Sequence, residues 1–550
     1  MDAGLKCWVA TVGSWFHVEG YHSGREDQLL NRLILVGPER LAAELEGFFV
    51  VVAKIPSEQE LVVITDVAGS CHCFTRELRG LTAISSSSLL LAGLGTSSTL
   101  DPVGCQEFIA TGIIYEDRTL YQEVRKMEPA SIHLLGTDGR WIQRCYWRIT
   151  DAEPESLRGT AAVHDLEDKL KEAVRKIGTS FSRPVCDLTG GYDSRAVAAG
   201  FLSAKVPFST TVSGSRNSGD VVVSEAIARM LNIPHRVMNV RPSADLQTLR
   251  RVVTLTDGEY EMIEYSRVME THLQLSEAFD VSVNGSYGEL ARGYWWELLF
   301  PYTGRVEPIN SEKLARMRYA AAADDPGLFP LPMRLSWDRH FADIIDRANR
   351  GLGQVPNTTQ MDNAYLRLRM HRWQGRIATS TNRIWPCISP FLFRSVLESV
   401  LRTSWRCRTR SLLIRRMLLN LDPRLANHPL EHGYPAVPLA WYNFHRFWPL
   451  VQFYGVKVFQ KLVRPLWKLD GVQDRNQGEP ARVNLWNNPE VREVLNPERM
   501  RTSQITDHGR LQEFLKSSRR PTFAFDKAWC RLFTIEYALR VLNDARMSEN

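Results

Sequence analysis

Val185-Cys186-Asp187-Leu188-Thr189-Gly190-Gly191-Tyr192-Asp193-Ser194-Arg195 is the stretch on which the fold turns. A short apolar strand ends, two glycines turn the chain, and a helix begins. Glycine lets backbone N–H groups come close to a ligand, and a helix N-terminus carries partial positive charge. Thr189 and Ser194 add hydroxyl donors. The ensemble is a cradle for a phosphate chain. Asp193 would repel a bare phosphate, so its presence calls for a divalent cation between them, with the oxygen ligands that Mg²⁺ prefers. No lysine follows the glycines and the spacing is not GxGxxG, so this is neither of the common phosphate loops. The plain alternative is a tight strand-to-helix turn that merely holds two glycines.

Outward from this loop, strands and helices alternate. Residues 161–177 read as a helix, Val185 to Leu188 as a strand and Ser194 to Ala204 as a helix. Phe208 to Ser213 and His235 to Val240 read as strands around a helix at Val221 to Leu231. Helices at Ala244 to Leu255 and Ser266 to Ala278 precede a strand at Val281 to Asn284, and Leu290 to Phe300 reads as a helix. Such alternation predicts a parallel sheet covered by helices, with ligands at the carboxyl ends of its strands. Upstream, β-branched alternation predicts paired strands at Gly47 to Ala53 and Leu61 to Thr65, and a hairpin from Ala130 to Leu135 and Trp141 to Trp147. Asp151 to Gly159 reads as a linker. From about residue 311 the chain is mostly helical by periodicity, with no repeat.

Composition limits the function classes. Over 550 residues, a net charge of +6 is too weak to argue for nucleic acid. The length alone suggests about three to four domains, or two larger ones. Nine scattered cysteines exclude a dense disulfide framework and fit a reducing compartment. Cys71-His72-Cys73 lacks the partners of a metal site and reads as ordinary strand or turn. No signal peptide and no spanning helix is expected, which makes the cytoplasm the default location.

The loop LTGGYDS resembles the SGGxDS pyrophosphate loop of the ATP-pyrophosphatase group, and the wider chain resembles the asparagine synthetase family. Asn284-Gly285-Ser286-Tyr287-Gly288-Glu289-Leu290-Ala291-Arg292-Gly293-Tyr294 falls without a gap on the second family motif, SGxGxDExxGGY. Gly47-Phe48-Phe49, Thr65-Asp66-Val67-Ala68-Gly69, Thr119-Leu120-Tyr121 and Tyr146-Trp147 are similar to the landmarks of its N-terminal sheet. The resemblance implies an α/β chain in two parts. Residues 1–155 would be a degenerate, Ntn-hydrolase-like, β-rich glutamine amidotransferase domain. Residues 156–550 would be a parallel-sheet, adenine-nucleotide α-hydrolase-like synthetase domain ending in a helical part.

It also implies a reaction: ATP is cleaved between its α and β phosphates, a carboxylate is adenylated, and an amine displaces AMP. Leu188, Thr189, Gly190, Gly191, Asp193 and Ser194 would then hold ATP, with Val212 and Gly285 framing the adenine through backbone contacts. Asp193 and Glu289 would hold Mg²⁺. The substrate would be a small molecule or peptide bearing a carboxylate and an amine.

Three departures shape that expectation. Glutamine-dependent members expose a cysteine at residue two, whose α-amine serves as its base, and here residue two is Asp2. Glutamine hydrolysis is therefore expected to be absent and the N-terminal part to be a scaffold or a substrate platform. β-Lactam synthetases and lasso-peptide cyclases resemble this arrangement. Second, Arg410-Ser411-Leu412-Leu413-Ile414-Arg415-Arg416 resembles the helix before the family's catalytic lysine, but Glu431 stands at the lysine position. A carboxylate cannot stabilise a departing pyrophosphate. Arg410, Arg415, Arg416 and His432 are candidate substitutes, with Arg415 taken as catalytic beside Asp193 and Glu289. Third, Ser286 replaces a residue that handles the amine, and Tyr287 could offer a phenol instead. Glutamine-dependent asparagine synthesis and a non-catalytic nucleotide-binding descendant are the alternatives.

Remaining features carry two readings each. Asp220 or Ser218 reads as an N-cap of the Val221 to Leu231 helix. Arg369, Arg372 and Arg376 would either face the phosphates or form a solvated basic face. Leu439 to Leu469 is aromatic and basic with no acidic residue. It would pack as a helical lobe, line a substrate groove, or lie on an anionic membrane. No nucleic-acid partner is expected, and a homodimer is left open.

Overall fold

The computed structural model describes residues 7–55, 59–95, 98–136, 138–450, 452, 480–518 and 526–548. Asp2 and, save residue 452, positions 451–469 of the aromatic–basic stretch lie outside them. The architecture is mixed α/β, with one antiparallel sheet, one parallel sheet and many helices.

The antiparallel sheet has the order β1 (Trp8–His17), β2 (Leu45–Lys54), β3 (Gln59–Thr65), β7 (Ser131–Gly136), β8 (Trp141–Cys145). Both expected pairs are present, with Val51 opposite Ile64 and Leu134 opposite Ile142. From Gly47 to Ala53, β2 is an unbroken apolar run because it is central and buried on both faces. Phe49 and Val51 face the helix Glu26–Glu44, while Phe48 and Val50 join the large core that includes Phe393 and Leu397. Strand alternation thus glues one sheet to two different layers. Three further strands, β4 (Phe74–Leu78), β5 (Leu81–Ser85) and β6 (Val124–Lys126), form a small sheet of order β5-β4-β6.

The parallel sheet has the order β11 (His235–Met238), β10 (Ser209–Ser213), β9 (Pro184–Asp187), β12 (Val281–Val283), β13 (Cys387–Ile388). All four pairings are parallel. The helices Asp193–Ala204 and Gly219–Leu231 make the crossovers on one side of β9. The chain then jumps to β12 on the other side, so the direction of winding reverses between β9 and β12. Leu290 to Phe300 is not one helix. Left-handed backbone at Gly293 and Trp295 splits it into two 3₁₀ turns, Gly288–Arg292 and Trp296–Leu299. The Asp151 to Gly159 stretch is held against the helical part, since Leu157 bridges to Thr403 and Glu155 accepts from the Trp405 N–H at 2.8 Å. The C-terminal helix Asp526–Ser548 shares a core with residues 74–124 and 249–269.

A compact ion cluster closes the edge of the antiparallel sheet. Glu44 accepts from Arg32 (2.6 and 2.8 Å), His17 (3.0 Å) and Arg40 (3.1 Å). The Arg32 bonds, with those from His17 and Arg40, pull its pKa down to about 2. Its folded value lies below the unfolded one, so its stabilisation is complete above about pH 4.5 and fades as the pH falls towards 2. Denaturant unfolding from pH 6 to 3 should show an acid-side loss that Glu44→Gln reduces by roughly 2 kcal/mol.

Candidate active site at the carboxyl ends of the parallel strands

The loop after β9 and the loop after β12 meet at the switch point. A Cβ on Gly285 would lie 2.7 Å from the Asp193 carbonyl carbon and 2.8 Å from the Ser194 nitrogen. A Cβ on Gly288 would lie 2.7 Å from the Asp193 Cβ and 2.8 Å from its Cγ. Only glycine permits this approach. Gly285 therefore sits against the start of the Asp193–Ala204 helix. The expected adenine contact at Gly285 must share space with that packing.

Inside the loop, the Thr189 N–H donates to Ser194 Oγ (3.0 Å), and the two hydroxyls lie 2.9 Å apart. The Gly191 N–H donates to Thr189 Oγ1 (3.2 Å), and Leu188 is fixed by its N–H to Thr211 O (2.8 Å). Asp220 is not an N-cap. Ser218 holds the cap position without a side-chain bond, and Asp220 Oδ1 instead accepts from the Gly190 N–H at 2.7 Å. This residue belongs to the site, and the acidic position before the helix was its only sequence signal.

Asp193 Oδ2 pairs with Arg292 at 2.8 Å, and Oδ1 is buried without a partner. Glu289 Oε2 is likewise buried and unpaired. Burial raises the Asp193 carboxyl to about 7; Arg292 opposes the rise and Glu289 adds to it. The structure thus brings the two expected metal-holding carboxylates together around two oxygens that lack donors. Among the described residues no group of three or more His, Cys, Asp or Glu side chains is close enough to hold a metal by itself. Mg²⁺ is ordinarily held by one or two carboxylates together with waters and phosphates, so the pair fits that ion.

Beside the loop, at the ends of β9, β10 and β11, lies a cavity of about 280 Å³ lined in part by Asp187, Thr211, Ser213, Gly214, Asn239 and Arg267. Val212 is buried and does not line it, because strand alternation turns its side chain to the opposite face from Thr211 and Ser213. Burial raises Asp187 to about 7 and lowers His272 to about 4.

Glu431 lies where the resemblance places the family lysine. Its N–H donates to Gly190 O (3.3 Å), and its side chain packs over Gly190 and Gly219. Arg415 points elsewhere. It donates to the Val437 and Pro435 carbonyls (2.8 and 3.4 Å) and stacks on Tyr192, Tyr434 and Phe447. Its link to the loop is the Tyr192 ring, 5.1 Å away. Tyr287 supplies no free phenol: its hydroxyl bonds Ser70 in the N-terminal part, and burial raises its pKa. Arg372 and Arg376 are neither a solvated face nor on the loop. Both are buried, and Arg376 pairs with Asp257 at 2.8 Å. Arg369 stacks on Trp373. Cys71, His72 and Cys73 are buried, and His72 Nε2 donates to the His371 carbonyl.

Two arginines that sequence reasoning passed over hold the site together. Arg195, fully buried on the loop's own helix, donates to the carbonyls of Leu425, His428 and Pro429 at 2.6–3.2 Å and so fixes the segment leading to Glu431. Arg408 donates to Leu290 O at 2.5 and 2.9 Å and pairs with Asp362 at 2.7 Å, which pins the 3₁₀ turn carrying Glu289. Neither makes a local pattern, since their partners lie more than 40 residues away.

Residues 165–284 match the family model described as Asparagine synthase. The match spans the glycine loop, β9 to β12 and the crossover helices, and supports kinship with the asparagine synthetase family over that stretch. No curated protein matches the chain significantly. Among solved structures, a glutamine phosphoribosylpyrophosphate amidotransferase from B. subtilis, complexed with ADP and GMP, is similar at 11% identity. The similarity covers 56% of this chain and 64% of that one, with a TM-score of 0.19, too low to carry an argument.

Arg408→Ala should destabilise the fold by about 3–5 kcal/mol, because it strands the buried Asp362 without a partner. Arg408→Lys, which keeps the charge but not the fork to Leu290 O, should lose less. Urea unfolding of the three proteins measures this.

Proposed function

We propose that the chain is an ATP-dependent amide-forming ligase that adenylates a carboxylate and releases AMP and pyrophosphate. The observation that carries this reading is the pair of unpartnered oxygens, Asp193 Oδ1 and Glu289 Oε2, at a glycine loop beside a cavity of about 280 Å³. The family match over residues 165–284 supports the general class of ligase.

Thr189, Gly190, Gly191 and Ser194 hold the β and γ phosphates, with the helix N-terminus behind them, while Leu188, whose N–H goes to Thr211 O, ties the loop to the sheet. Asp220 yields the Gly190 N–H when phosphate arrives. Thr211, Ser213 and Gly214 frame the nucleoside, with Val212 and Gly285 contributing backbone only. Asp193 and Glu289 would hold Mg²⁺, which when bound polarises the α-phosphorus and neutralises the departing pyrophosphate. Arg292 keeps Asp193 aligned towards that position. Arg415 acts through Tyr192 and the 429–437 segment. Holding the amine against the activated carboxylate, away from water, supplies the second step.

In this reading residues 1–155 are an Ntn-hydrolase-like domain that serves as a scaffold or substrate platform. Residues 156–550 are the synthetase domain. The amine then belongs to the substrate, as in macrocycle closure, β-lactam-like ring closure, or amidation of a glycan or other specialised intermediate. The enzyme works in the cytoplasm without nucleic acid. The aromatic side chains Trp441, Tyr442, Phe444 and Trp448, all exposed, are its route to peripheral membrane contact, and a homodimer is compatible with the site.

One observation favours a second reading, a non-catalytic nucleotide-binding descendant. Glu431 packs over Gly190, whose N–H Asp220 already takes. Product analysis with Mg·ATP and an extract of cellular carboxylates and amines separates the two. Ligase activity gives AMP and pyrophosphate that vanish in Asp193→Ala. ADP as product, or tight binding without turnover, contradicts it. Glu431→Lys should raise AMP release by at least about tenfold, since even one neutral donor aimed at developing oxyanion charge is worth about 10²–10³ in rate.

A further inference from the structure

The cavity of about 280 Å³ beside the glycine loop is lined by two titratable side chains with no part in holding the phosphates: Asp187 at the end of β9 and His272 on the helix Met262–Ser276. A volume of this order is that of a small-molecule site. Asp187 is half-buried and faces the cavity, because strand alternation turns Cys186 and Leu188 into the core instead. Its carboxylate has neither a hydrogen-bond donor nor an ion-pair partner among the described residues, and burial alone accounts for its rise to about 7.

His272 has a defined tautomer. The Trp385 indole N–H, which can only donate, donates to His272 Nδ1 at 3.1 Å. Burial lowers the ring to about 4, so it is neutral at pH 7. A neutral ring that accepts at Nδ1 carries its proton on Nε2, and that N–H has no partner among the described residues. Thr211 donates its hydroxyl proton to the Arg236 carbonyl at 3.0 Å and so offers the cavity lone pairs. Arg267, which also lines the cavity, is exposed and forms no ion pair with Asp187. The wall therefore presents an unmatched acceptor from the strand side and an unmatched donor from the helix side. An acceptor kept from water without a donor is costly unless a ligand brings one.

We propose that Asp187 and His272 select the nucleobase: the Asp187 carboxylate accepts from the 6-amino group of adenine, and the His272 Nε2–H donates to an adjacent ring nitrogen. This rests on the reading of the crevice as an ATP site. Adenine matches the wall because it carries an N–H donor beside nitrogens with free lone pairs. Guanine and hypoxanthine carry a carbonyl oxygen in place of the amino group, and its lone pairs would face the carboxylate. Backbone contacts from Val212 and Gly285 grip any flat ring, whereas these two side chains choose among rings. Trp385, just before β13, sets the choice from behind by fixing which imidazole nitrogen donates.

The test is equilibrium binding of Mg²⁺ triphosphates to the full chain by calorimetry. The probes are ATP, GTP and purine riboside triphosphate, which has hydrogen in place of the 6-amino group. ATP should bind at least about tenfold more tightly than either of the others. In Asp187→Leu the preference for ATP over purine riboside triphosphate should shrink to within about twofold, because the group that reads the amine is gone. Purine riboside triphosphate itself should bind the variant at least as tightly as before, which also shows that the variant is folded. GTP binding as tightly as ATP, equal affinity for ATP and purine riboside triphosphate, or an undiminished preference in Asp187→Leu overturns the selection. The comparison of analogues on the unaltered chain does not depend on how the variant folds. Failure of all three to bind removes the nucleotide site and this proposal with it, whereas equal binding of all three removes the selection alone.

Discussion

The structure depends on one close approach: the backbone of Gly285 and Gly288 against Asp193. Two loops from non-consecutive strands can touch only where a parallel sheet reverses its winding, and here that point lies between β9 and β12. The contact brings Asp193 and Glu289 into one crevice although they are far apart in sequence. Any side chain larger than hydrogen at either glycine would force the loops apart. Much of the surrounding design protects this geometry. Arg408 pins the turn with Glu289, Arg195 ties the loop's helix to the segment before Glu431, and Ser70 holds Tyr287 from the N-terminal side.

The crevice is electrostatically unfinished in a specific way. Asp193, Glu289, Asp220 and Glu431 gather around the glycine loop, and Arg292 is the cation paired with them by a short contact. An anionic phosphate chain entering such a mouth needs a cation to accompany it, which is why a divalent ion and a nucleotide are natural joint ligands here. The missing lysine at position 431 makes the same point from the other direction. In the proposed reaction, stabilisation of a leaving pyrophosphate would then fall on a bound metal, the loop amides and the helix N-terminus.

The sheet and its central loop were legible because their signals are local. Strand, two glycines and helix follow one another within eleven residues, and apolar runs mark β2, β3, β9 and β10. What escaped has non-local causes. β13 is two residues long and exists only through pairing with β12. The break of Leu290 to Phe300 into 3₁₀ turns follows from left-handed backbone at Gly293 and Trp295. Asp220 read as a cap because the sequence cannot say that the Gly190 amide lies in front of it. Arg372 and Arg376 read as either a phosphate-facing row or a solvated basic face because helical spacing does not reveal what covers a helix. Asp193 and Glu289 could be picked as candidate metal-holding carboxylates from the sequence, but their unpaired oxygens emerged only in three dimensions.

A structure of the chain with Mg²⁺ and α,β-methylene-ATP, which cannot be cleaved between the α and β phosphates, tests the central claim most directly. The account predicts β and γ phosphates on the amides and hydroxyls of residues 189–194, with Asp220 displaced from Gly190. It also predicts one Mg²⁺ or more on Asp193 Oδ1 and Glu289 Oε2, and the nucleoside in the cavity beside Thr211 and Ser213. A nucleotide bound elsewhere, or one bound at this loop with Asp193 and Glu289 free of metal, would contradict it.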